Sequence, residues 1–191
     1  MNRIFDLEPN TRIDRDAGFV SSYPHLLSYF EHRKDLTAGD VVVGAHMAYG
    51  WMPTILDLYP ADSGLPFEAA ADLLNRARTY GTLTEQDLKS LARLVNNSVV
   101  GASKLLHFAA PEAFAIWDSR VYTFLYNRRP YYERVNSAAT YLKYLSDLRE
   151  TRKDSRFESF HESINSKHGY RVSALRAMEI VMFNNAPRLG S

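Results

Sequence analysis

Lys104 and Asp118 stand fourteen residues apart at the two ends of one apolar run, "KLLHFAAPEAFAIWD". An amine and a carboxylate are complementary chemical tools. A carboxylate stabilises positive charge developing on a reacting carbon and orients the group that attacks it. A lysine amine attacks an electrophilic carbon once it is partly neutral, and burial among Leu105, Leu106 and Phe108 would supply that neutral fraction. Each residue also has a plainer reading. Asp118 precedes "SRVYTFLYN" and is an acceptable helix N-cap, a role worth about 1 kcal/mol. Lys104 reads equally as a surface lysine near the start of a helix.

Other chemistries lack their residues. Cysteine is absent, which removes thiol nucleophiles, thiolate metal sites and disulfides. The histidines at 25, 32, 46, 107, 161 and 168 include no HExxH spacing. There is no P-loop, no GxGxxG after a strand and no GxSxG elbow. The expectation is therefore a site without metal or cofactor.

The elements that must position Lys104 and Asp118 read as helices. "VSSYPHLLSYFEHR" carries Leu26, Leu27 and Phe30 at helical spacing. Asp40 is the expected N-cap of a helix through Ala48, and Pro53 should start or kink a second piece. "PFEAAADLLNRARTYG" places Phe67, Ala70, Ala71, Leu74 and Ala77 on one face, and Gly81 ends it. Thr84 and Asp87 form a variant capping box before Leu88, Leu91 and Leu94. The segment 85–108 is either one long helix with a weak middle or two helices joined near 96–101. Pro111 should begin a new element, "PEAFAI", and Asp118 or Ser119 should cap the next, which Pro130 breaks. Three further helical stretches, "NSAATYLKYLSDLRE", "SRFESFHESINSKHG" and "YRVSALRAMEIVMFNN", finish the chain. The class is mainly α: a compact multi-helix single domain over 1–191, with room for two lobes.

Charge is uneven. Residues 35–90 carry three Lys/Arg against eight Asp/Glu, and residues 119–176 carry twelve against six. An acidic lobe at about 35–90 and a basic lobe at about 119–176 follow. A basic region mixed with aromatics suits an anionic partner, nucleic acid above all; the plainer reading is an ordinary solvated surface. No apolar stretch reaches the roughly 20 residues of a membrane helix, and no signal pattern opens the chain, so a cytoplasmic protein is expected.

One stretch carries a family resemblance. "GASKLLHFAAPEAFAIWDSRVYTFL" resembles the signature region of the helix-hairpin-helix DNA glycosylases. In that family a glycine-bearing hairpin precedes a helix, and a catalytic aspartate follows in the pattern F-x-I/V-x-D-x-x-V-x-x-x-L. Phe114, Ile116, Asp118, Val121 and Leu125 stand at those positions, and Gly101 resembles the last glycine of the hairpin. Lys104 or Ser103 resembles the residue that holds either the nucleophilic lysine or its replacement. The resemblance covers about 30 of 191 residues. The chain departs from it in three ways. "NNSVVGAS" has one glycine and no proline where the family reads Leu-Pro-Gly-Val-Gly; Lys104 follows Gly101 by three rather than two; and the lysine-to-aspartate spacing is shorter.

The resemblance implies a helix-hairpin-helix glycosylase-like fold and a DNA partner. It implies cleavage of the bond between base and deoxyribose of a damaged or modified base, with Asp118 and Lys104 as the catalytic pair. The flipped base needs an apolar pocket, for which Trp117, Tyr122, Tyr126, Trp51 and Tyr49 are available. Arg120, Arg128, Arg129 and Lys143 could meet phosphates. Core packing is the plainer reading of Trp117 and of "AHMAYGWMP", and "YNRRPYY" could be a loop docked on the protein itself. The alternative function is a noncatalytic α-helical module that binds nucleic acid or protein, regulatory or associated with phage defence. In that case Asp118 is spent on a helix end.

Overall fold

A computed structural model describes residues 1–51 and 54–188, and they are mainly helical. Pro53, where a kink was expected, lies outside the described residues. The α-helices, in order, are α1 Arg3–Leu7, α2 Gly18–Ser21, α3 Tyr23–Glu31, α4 Ala38–Trp51, α5 Phe67–Tyr80 and α6 Glu85–Leu94. They continue as α7 Val99–Ala109, α8 Ser119–Tyr126, α9 Tyr132–Val135, α10 Ala138–Thr151, α11 Phe157–His168 and α12 Ala174–Asn184. The only β pairing among the described residues is an isolated bridge between Leu58 and Val95.

The expected caps are present, with one correction. Thr84 accepts from the Asp87 amide and Asp87 answers it, a capping box. α5 ends at Gly81, whose φ of 66° is the left-handed cap that glycine adopts without strain. α4, however, starts at Ala38, and Thr37 rather than Asp40 stands before it. Asp40 lies in the first turn, where Oδ2 accepts from the Thr37 amide at 2.9 Å and the Thr37 hydroxyl at 2.7 Å.

α7 is the central helix. Every residue of it but Val100 is buried, and α3, α4, α5 and α6 all pack on it. The 85–108 segment is two helices. Asn96 and Asn97 take left-handed φ values of 54° and 49°, which turn the chain between α6 and α7. Ser98 then caps α7 by accepting from the Gly101 amide at 3.1 Å. Gly101 therefore sits inside the first turn of α7 and not in the turn that precedes it. A Cβ there would meet the Tyr49 ring, with Cζ at 2.8 Å, so glycine admits α4 against α7.

"PEAFAI" is the second correction. Residues 111–113 form a turn and 114–118 have no regular secondary structure, so this is no helix. Phe114 to Trp117 are all 1% exposed or less. A buried segment without regular secondary structure must satisfy its backbone with side chains. His107 Nδ1 binds the Phe114 carbonyl, Tyr141 donates to Ala115, and Tyr144 donates to Ile116, at 2.7, 2.9 and 3.3 Å. The Trp117 amide donates to Ser103 Oγ at 3.1 Å. One hydrophobic cluster from Ile4 to Met182 joins every one of these helices except α2 into a single domain.

Candidate functional site

The Ser103–Trp117 hydrogen bond fixes the site's geometry. It ties α7 to the 114–118 segment, and the next residue on each strand of chain, Lys104 and Asp118, lines a common cavity. The cavity encloses about 670 Å³, a volume ordinary for small-ligand pockets. α4 contributes Tyr49 and Trp51, the α6–α7 turn Asn96 and Ser98, α8 Arg120, and α12 Arg176, Glu179 and Phe183.

Lys104 is 7% exposed, so the surface reading of this lysine does not hold. Among the described residues its ammonium makes no hydrogen bond or ion pair. Burial lowers its pKa, and the charges of Asp118 and Glu179 oppose that shift. Asp118 is the N-cap of α8: Oδ1 accepts from the Val121 amide at 2.9 Å. Capping engages one carboxylate oxygen and leaves the other for the cavity.

The aromatic expectations divide. Tyr49 and Trp51 line the cavity, and the Trp51 indole donates to the Phe19 carbonyl at 2.9 Å. Trp117 is core at 0% exposure, with Nε1 on the Val135 carbonyl at 2.8 Å. Tyr122 is also buried, edge-on to Trp117. Tyr126 is surface-exposed and stacks on Tyr122, away from the cavity lining.

The cations divide too. Arg120 lines the cavity and lies 4.2 Å over the Phe183 ring. Arg128 and Arg129 are exposed on the loop after α8. Lys143 is exposed on α10 and paired with Asp147 at 2.7 Å, so it stands outside the site and its charge is countered locally. Among the described residues, five cations of the basic stretch 119–176 hold ion pairs: Lys143, Lys153, Arg156, Lys167 and Arg176.

Sequence reasoning missed the α12 wall. Arg176 and Glu179 form a buried ion pair there, and burial pushes the Glu179 carboxyl up to about 7 against the pull of Arg176. His168, at the end of α11, joins them in the cavity lining with its pKa lowered to about 4 by burial. The signal was present: a charged i, i+3 pair inside the otherwise apolar "ALRAMEIVMF". The lining thus carries three cations and three carboxylates, Lys104, Arg120 and Arg176 against Asp14, Asp118 and Glu179. Comparison with known families, curated proteins and solved structures gives no match to this chain.

Proposed function

We propose that the chain is a DNA N-glycosylase of the helix-hairpin-helix type, acting on a damaged or modified base held in this cavity. One observation carries the reading. Lys104, only 7% exposed and without a hydrogen bond among the described residues, lines the same cavity as Asp118. Proteins seldom bury an unpaired amine, because desolvation costs several kcal/mol. A reactive amine needs that desolvation to lose its proton.

The chemistry balances with these two groups. The lone pair of Lys104 Nζ attacks deoxyribose C1′ as the C1′–N bond breaks, and the base leaves with the bonding electrons and takes up a proton. Positive charge on the sugar is stabilised by Asp118. The new amine loses a proton, the C1′–O4′ bond opens with protonation of O4′, and a Schiff base remains. Water then releases the protein and leaves an abasic site. The left-handed asparagine turn that joins α6 to α7 supports this reading, since it links two consecutive helices without the family's glycines.

The second reading, a noncatalytic binding module, is favoured by the Asp118 cap itself. Incubation with duplex oligonucleotides carrying a panel of damaged and modified bases, then alkali, separates the two. Strand cleavage at one modified position is the expected result. No cleavage with any substrate would favour the binding module.

A further inference from the structure

Two buried polar atoms have no hydrogen-bond partner among the described residues: Arg176 Nε and His168 Nδ1. Their residues are 5% and 3% exposed, and both line the same cavity. Orphaned buried donors are costly, and in a cavity wall they mark where a ligand atom or an ordered water belongs. Arg176 is also held in place. Its Nη1 binds Glu179 Oε2, and its guanidinium lies 5.1 Å from the Tyr23 ring and 5.5 Å from the Trp51 ring. With Nη1 engaged, the donors that remain are Nε–H and Nη2–H, which form one fork. Such a fork offers two parallel donors to two adjacent acceptors in one plane.

An anion would satisfy a fork, but the cavity disfavours one. Arg176 is paired with Glu179, and the other two cations of the lining, Lys104 and Arg120, are matched in number by Asp118 and Asp14. The aromatic side chains in the cavity lining, Tyr49, Trp51 and Phe183, suit a flat apolar body. We propose that Arg176 and His168 form the base-reading end of the cavity, and that it takes a neutral base presenting a ring nitrogen acceptor beside a carbonyl oxygen. This rests on the glycosylase reading and names its substrate class. The required edge is N7/O6 of a guanine-type base or N3/O2 of a cytosine-type base. Uracil, thymine and adenine have no such pair. A guanine oxidised at C8 carries a hydrogen on N7 and loses it. His168, neutral in its buried position, offers a third contact from Nδ1 to a substituent on the base.

Free nucleosides test the fork without requiring catalysis. Quenching of Trp51 fluorescence in the full chain would be titrated with 2′-deoxyguanosine against its 7-deaza analogue, and with 2′-deoxycytidine against 2′-deoxyuridine. The first comparison removes the N7 acceptor; the second turns N3 from an acceptor into a donor and the 4-amino group into a carbonyl. The member with both acceptors should bind roughly 5- to 150-fold tighter in one of the two series, which identifies the base type. Arg176→Lys keeps the charge, loses the fork and should erase the difference. If that variant does not fold, the wild-type ligand series decides alone. Equal affinities in both series, no nucleoside binding, or inorganic phosphate binding as tightly would overturn the inference; the orphaned atoms then hold water only. Trapped covalent DNA without nucleoside selectivity would overturn this inference and leave the glycosylase reading standing. Selectivity without base release from any oligonucleotide would sink the glycosylase reading and keep the fork.

Discussion

A lysine 7% exposed, with no partner among the described residues, destabilises the fold that contains it. That gives residue 104 an opposed pair of effects. Lys104→Met keeps the length of the side chain and removes the desolvated amine, so it should raise unfolding free energy by about 1–3 kcal/mol in urea titrations. The same variant should form no covalent adduct with DNA. A loss of stability on Lys104→Met would mean that the amine has a structural partner, and the site would lose its nucleophile. The two members of this pair were legible in sequence because their types and spacing were unusual in an apolar run. Arg176 and Glu179 were not read, although they break an apolar run in the same way. A charged pair at i, i+3 looks like an ordinary exposed helix pair until packing shows that both partners are buried.

The elements were read well where periodicity governs and poorly where tertiary contacts govern. α5 and the capping box of α6 follow from local sequence, and they stand where spacing puts them. The 114–118 segment does not. Its backbone groups are bound by His107, Tyr141, Tyr144 and Ser103, which lie far along the chain or on another element. No local pattern encodes such partners. Gly101 is the hinge of the same problem, since its role is to admit Tyr49 rather than to turn a hairpin. Gly101→Ala should therefore cost about 1–3 kcal/mol, an overpacking penalty, although alanine is the better helix former by about 1 kcal/mol. Thermal or urea unfolding checks the sign. A stabilised Gly101→Ala protein would show that α4 and α7 can separate freely.

At the scale of the whole molecule, one connected core carries a buried imidazole whose titration is set by burial. His107 is fully buried, accepts from Tyr23 at 2.6 Å, and has its pKa lowered to about 3. Its folded pKa lies below the unfolded value near 6.5, so the unfolded chain binds the extra proton between those limits. Stability from this group is complete above about pH 6.5 and falls as pH drops toward 3, by about 1.4 kcal/mol per unit. Glu179, raised to about 7, acts with the opposite sign: its contribution is present below the unfolded carboxylate pKa and is lost as pH rises through 7. His107→Gln should lower stability overall and flatten the slope of unfolding free energy between pH 6.5 and 4.5 by about 1.4 kcal/mol per unit. An unchanged slope would mean that His107 is protonated in the folded state. The central claim about this molecule is that Asp118 is chemical as well as structural. Asp118→Asn isolates it, because asparagine caps a helix about as well as aspartate and removes only the charge. The measurement is the rate of base release from the oligonucleotide that wild type cleaves, alongside the unfolding free energy. The account predicts a rate about 100-fold lower or less, with stability nearly unchanged. An Asp118→Asn protein that folds and releases base as fast as wild type would contradict it.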